Sequence, residues 1–158
     1  MVTFETKCYE NDWEILLKTN RLEQMIENCN YIFNKKVLYL NNISNMESAI
    51  IEADFAVKKG IIDEYYIVED YASAALQFFN LDIASFAGGY YYSIAELVGL
   101  YICQTPYLLH FSSDSIMSKT SVPWIAQSII EMEKNSNIIV ANPIWNFQMK
   151  EARNESIK

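Results

Sequence analysis

The run YLLHFSSDSIM, residues 107–117, ends an apolar stretch abruptly in three small polar residues and one carboxylate. Asp114 at the end of a strand can hold a hard cation with help from Ser112, Ser113 and water. Mg²⁺ takes only one or two protein carboxylates, keeps several waters and completes its shell with substrate phosphates. The other role open to Asp114 is to cap the next segment or close an Asx turn, and spacing alone leaves both open. Glu69-Asp70 can reach a cation or a ribose hydroxyl; an acidic pair at a helix N-terminus is the simpler role. Tyr90-Tyr91-Tyr92 can stack on a base or an acceptor sugar, with at least one ring in the core. His110, the sole histidine, lies in an apolar run and reads as a satisfied sheet histidine rather than a ligand. Cys8, Cys29 and Cys103 form no CxxC pair and read as buried, inert thiols in a reducing, cytoplasmic setting. No GxSxG supports a nucleophilic serine. GxxxxGK and GxGxxG are absent too, and Gly88-Gly89 is too sparse to cradle phosphate.

These groups need a scaffold, and the composition allows one. The chain has 158 residues, 51% of them hydrophobic and 20% charged, with a net charge of −8. That is the composition of one globular domain. The acidic balance, with Lys35-Lys36 and Lys58-Lys59 as the only basic pairs, argues against a nucleic-acid partner. It also means that a polyphosphate ligand would arrive with a divalent cation between like charges. No apolar run approaches the ~20 residues of a membrane span. The N-terminus lacks a basic region followed by an apolar core, so no signal peptide is expected.

Periodicity predicts strands at 2–7, 36–40, 64–68, 107–111 and 137–140, with a short one at 81–84. Helices are predicted over 13–29 (interrupted at Thr19-Asn20), 46–59, 71–79, 92–103 and 124–134. Asp12 is the expected N-cap of the first, and Gly60 the C-cap after the second. This alternation implies a three-layer α/β fold, a mostly parallel sheet with helices on both faces. Ligands of such sheets bind beyond the carboxyl ends of the strands, where strand order reverses. The posts there are residues 8–11, Asn41-Asn42, Glu69-Asp70 and residues 112–115. The α/β domain is expected over 1–146, with a polar tail at 147–158.

LLHFSSDSIM, preceded by SIAELVGLYICQTPY, resembles the run leading into the Asp-x-Asp motif of inverting GT-A glycosyltransferases (family-two-like). Ser112-Ser113-Asp114 lies where that metal-binding triplet would be, with Ser112 in place of the first acid. TFETKCYENDWEILLKTNRLEQMI resembles the family's first strand, nucleotide loop and first helix. VLYLNNIS resembles its second strand, with Asn41 where an Asp usually meets the base, and NIIVANPIW resembles the strand after the triplet. The likeness runs from about Val2 to Trp145. Glu96-Leu97 stand where the family often has Arg-Asn.

The resemblance implies a GT-A, Rossmann-like nucleotide-sugar-binding half. It would bind a nucleoside-diphosphate sugar with Mg²⁺ or Mn²⁺ and transfer a hexosyl or related sugar to an unspecified acceptor. Asp114 would hold the metal; Cys8, Tyr9, Glu10, Asn41, Ser112 and Ser113 would form the nucleotide site. No residue maps onto a catalytic base. The rival is a catalytically degenerate or truncated GT-A-like binding or assembly module. An unrelated flavodoxin-like interaction domain is the third. Without an acceptor half, apolar side chains at Trp124, Ile129, Trp145 and Phe147 are expected to be uncovered and to favour self-association.

Overall fold

The computed structural model describes residues 1–143. The expected tail at 147–158, Trp145 and Phe147 lie outside the described residues. Met1–Val122 forms one compact unit, and a second unit begins at Pro123.

The first unit carries a four-stranded parallel sheet of β1 (Val2–Cys8), β2 (Lys35–Leu40), β3 (Glu64–Ile67) and β4 (Tyr107–Ser112), in the order β3-β2-β1-β4. Helices α1 (Trp13–Lys18), α2 (Arg21–Glu27), α3 (Met46–Lys58), α4 (Val68–Phe79) and α5 (Tyr90–Ile102) cover it. The fold is therefore α/β with helices on both sides of a parallel sheet, as the alternation implies.

Local chemistry sets the boundaries. Thr19 breaks the first helical stretch into α1 and α2: its hydroxyl turns back to the Ile15 carbonyl and accepts from Arg21 N–H. Gly60 ends α3 at φ 73°, where its N–H reaches the Val57 carbonyl and Ile61 N–H reaches Ala56. That left-handed closure suits glycine. Helix α4 follows β3 directly, with Glu69 and Asp70 in its first turn, the simpler of their two expected roles.

Two expected strands are not formed. Residues 81–84 contribute instead to a short 3₁₀ turn, Ile83–Phe86. Asn80 closes α4 in the left-handed region, and Asp82 and Ser85 then make a reciprocal capping box, so local hydrogen bonds override the apolar pattern. Residues 137–140 join no ladder. Asn135 takes the Asn137 and Ile138 N–H groups in a turn after α6 (Trp124–Lys134), and Ile139 stays exposed. A β-branched run without a partner strand has no sheet to stabilise it.

The central strand β1 is buried along its whole length, yet four of its seven residues, Thr3, Glu5, Thr6 and Lys7, are polar. Strand alternation separates its faces. Phe4 packs against Phe33 and Phe111 on one side. Thr3, Glu5 and Lys7 turn to the other side, in register with Lys35, Val37 and Tyr39 of β2 and with Leu108, His110 and Ser112 of β4. Val37 and Tyr39 also belong to the apolar cluster formed with α4 and α5, through Val68, Ala72, Ala75, Ile94, Ala95 and Val98. Gly99 is required where α5 crosses Glu5, because a Cβ there would collide with the carboxylate.

Candidate nucleotide site at the carboxyl edge

All four strands are parallel, so Cys8, Leu40, Ile67 and Ser112 end on one edge. Strand order reverses between β1 and β4, because β2 and β3 lie on one side of β1 and β4 on the other. This is the position where open α/β sheets take ligands.

The loops at that edge are tied together. Asp12 occupies the N-cap position of α1, but its carboxylate does not cap the helix. It accepts from Tyr9 N–H at 2.8 Å and from the Ser113 hydroxyl, joining the loops after β1 and β4. Arg21 donates through Nε to the Ser113 carbonyl (3.0 Å) and through Nη2 to the Asp114 carbonyl (2.6 Å). Glu10 accepts from Ser44 N–H at 2.6 Å, joining the loops after β1 and β2. Asn41 and Asn42 both donate from their side-chain amides to the Tyr91 carbonyl, at 3.1 and 2.9 Å.

The tyrosine run forms the first turn of α5, two residues earlier than its periodicity predicts, with Gly89 as N-cap. The Tyr92 ring meets Tyr9 edge-on at 6.2 Å, and Tyr91 meets Tyr92 at 4.9 Å. The Tyr9 phenol is held above its ordinary pKa, first by the Asp12 carboxylate, with burial, Tyr92, Asp114 and Tyr91 adding to it. Tyr9 and Asp114 are therefore within electrostatic reach of each other.

Beside this cluster lies a cavity of about 460 Å³. Asn41, Asn42 and Ser44 line it from the loop after β2, Glu69 from the start of α4, and Tyr90 and Tyr91 from α5. Its polar groups with apolar flooring from Leu40, Ile67 and Ile94 suit one end of a small amphipathic ligand. Asp114 is not among the lining residues; it stands at the neighbouring β1/β4 end of the edge.

The expected site residues divide by accessibility. Tyr9 is half-buried, while Glu10 and Asp114 are exposed. Asn41 and Ser113 are buried and hold loops rather than presenting free amides or hydroxyls. Ser112 ends β4, and its carbonyl accepts from Ser115 N–H at 2.9 Å. The Cys8 thiol departs from expectation as a ligand contact. It is fully buried, and burial, with Asp12 adding, pushes its pKa far up. Only the Cys8 main chain serves the edge, its carbonyl accepting from Asn41 N–H. Cys29 is likewise inert, raised to about 12 by burial.

A charge cluster under α5 is a further feature that the sequence did not reveal. Lys7 Nζ donates to the Tyr92 carbonyl and to Glu96 Oε1. His110 Nε2 lies 3.7 Å from the same Glu96 oxygen, and its Nδ1 lies 3.0 Å from Glu5 Oε1. His110 is thus a satisfied sheet histidine, as its apolar setting implies. The signal that could have found the cluster is the spacing of Thr3, Glu5 and Lys7, which puts all three on one face of a strand.

A divalent cation delivered with phosphates needs only one or two protein carboxylates. The Asp114 carboxylate makes one long bond, with Ser115 Oγ at 3.4 Å, so it is free to coordinate. Among the described residues no group of three or more His, Cys, Asp or Glu side chains is arranged around a metal position. Compared with protein-family models, with curated proteins and with solved structures, the chain gives no significant match to any.

Proposed function

We propose that the chain binds a nucleoside-diphosphate sugar with Mg²⁺ or Mn²⁺ along the carboxyl edge of its sheet and transfers the sugar to an acceptor. The observation that carries this reading is the tie between the loops after β1 and β4 at the point of strand reversal, where Asp12 bonds Tyr9 N–H and the Ser113 hydroxyl next to Asp114, beside a cavity lined by Asn41 that is large enough for a base or ribose. In this arrangement the nucleoside enters the cavity between Asn41, Glu69 and the tyrosine turn. The diphosphate would lie toward β4, where Asp114 would supply one carboxylate to a divalent cation. Such a cation stabilises the charge that develops on the leaving diphosphate.

A second reading, a binding or assembly module without turnover, is favoured by the use of the other acids. Of Glu10, Asp12 and Asp114, the first two are already bonded to Ser44 N–H and to Tyr9 and Ser113. Glu10 and Asp12 thus hold loops, and neither is displayed as a dedicated base.

Calorimetric titration with UDP and Mn²⁺ tests the site. The expected result is metal-dependent binding that weakens tenfold or more in Asp114→Ala, about 1.4 kcal/mol or more. Equal affinity in both proteins removes the metal role. No binding by either favours the module. Donor hydrolysis or transfer by the wild type separates an enzyme from a binder.

A further inference from the structure

We propose that Lys7 is a positioning residue for the cavity, fixing the first turn of α5 and with it the tyrosine wall that an occupant must meet. The identity of the occupant rests on the nucleotide role above; the holding of the turn does not.

Three side-chain donors from the ends of β1 and β2 converge on two consecutive carbonyls. Lys7 Nζ reaches Tyr92 O, while Asn41 and Asn42 reach Tyr91 O. Both carbonyls belong to a helix, where they already face N–H groups one turn on. The extra donors therefore fix the turn against the sheet edge rather than complete the helix. Tyr90 and Tyr91 line the cavity, and Tyr92 abuts Tyr9. Any shift of this turn reshapes the opening between them.

Stability is a poor explanation for a lysine at this place. Lys7 is only 9% exposed, so its ammonium has been taken out of water at a cost that its partners must offset. Glu96 offsets that charge, but Glu96 Oε2 and Glu5 Oε2 are both buried without a hydrogen-bond partner among the described residues. A well-packed apolar pair is commonly as stable as such an ion pair or more so. What an apolar residue cannot supply is the directed bond to Tyr92 O.

Hydrogen exchange across the intact chain tests this without any ligand. In Lys7→Met, exchange of the Tyr92–Glu96 amides should rise about tenfold while the other helices keep wild-type protection. Lys7→Arg, which retains a cationic donor, should restore protection. Asn42→Gly keeps the left-handed backbone (φ 52°) and removes one donor to Tyr91, so it should loosen the same turn by less. It also serves if Lys7→Met fails to fold. Unchanged exchange in this turn, or a rise spread evenly over all helices, overturns the proposal. With UDP and Mn²⁺, Lys7→Met should bind about tenfold more weakly at an unchanged or higher urea midpoint. If the wild type binds no UDP, the nucleotide role falls and the exchange result alone decides the positioning role.

Discussion

Glu5 illustrates how a single side chain reports on its surroundings. It is 1% exposed at the centre of the sheet. Burial holds its carboxyl pKa above the usual carboxylate range; the hydrogen bond and charge of His110 oppose the shift, Glu96 adds to it, and the Tyr39 hydroxyl opposes it. In the unfolded chain the group ionises near the ordinary ~4.3. The folded state thus binds the proton more tightly, so the associated stability is present below that value and is lost as pH rises through the folded pKa. Glu5→Gln keeps the shape and is neutral throughout. Its stability advantage over wild type should therefore widen as pH rises, read as urea midpoints across a pH series. Parallel curves for the two proteins would contradict this. Asp114 belongs to the same scale: its place just past a strand end was legible from the apolar run before SSD, and the structure leaves it exposed. The loop ties of Asp12 and Arg21 were not, since partners about a hundred positions apart leave no local pattern.

Helix α5 is the element on which most of the site depends. Its N-terminal turn walls the cavity, its middle lies over Glu5, and its apolar face completes the cluster with α4. Gly99→Ala should cost about 1–3 kcal/mol through overpacking against Glu5, measured by urea denaturation; no measurable loss would mean that helix and strand separate easily. Most elements were legible because helical and strand periods are local signals: Thr19-Asn20 did split the first helix and Gly60 did close α3. The misjudged segments are those where local bonding or partner supply decides. Asp82 and Ser85 turned an apolar stretch into a 3₁₀ turn, and 137–140 has β-branched residues but no partner strand among the described residues. Helix α5 begins at Tyr90, two residues before its apolar period starts, because three consecutive tyrosines carry no helical period.

At the scale of the whole molecule, the charge of −8 opposes any free polyphosphate. Without metal, UDP should bind more tightly as salt rises from about 10 to about 150 mM, since the Debye length falls from about 30 to about 8 Å. With Mn²⁺ present the salt response should be flat or reversed. Metal-free affinity that drops with salt would point instead to a local cationic site. The alternation along β1 has a consequence for how the chain reaches this state. Sliding β1 by one position against β2 and β4 would carry Glu5 and Lys7 into the layer occupied by Phe4, Phe33 and Phe111. Both charges would then be stranded without His110 or Glu96, at a cost of several kcal/mol. The polar stripe works as an alignment key, rejecting misthreaded sheets that an all-valine strand would tolerate.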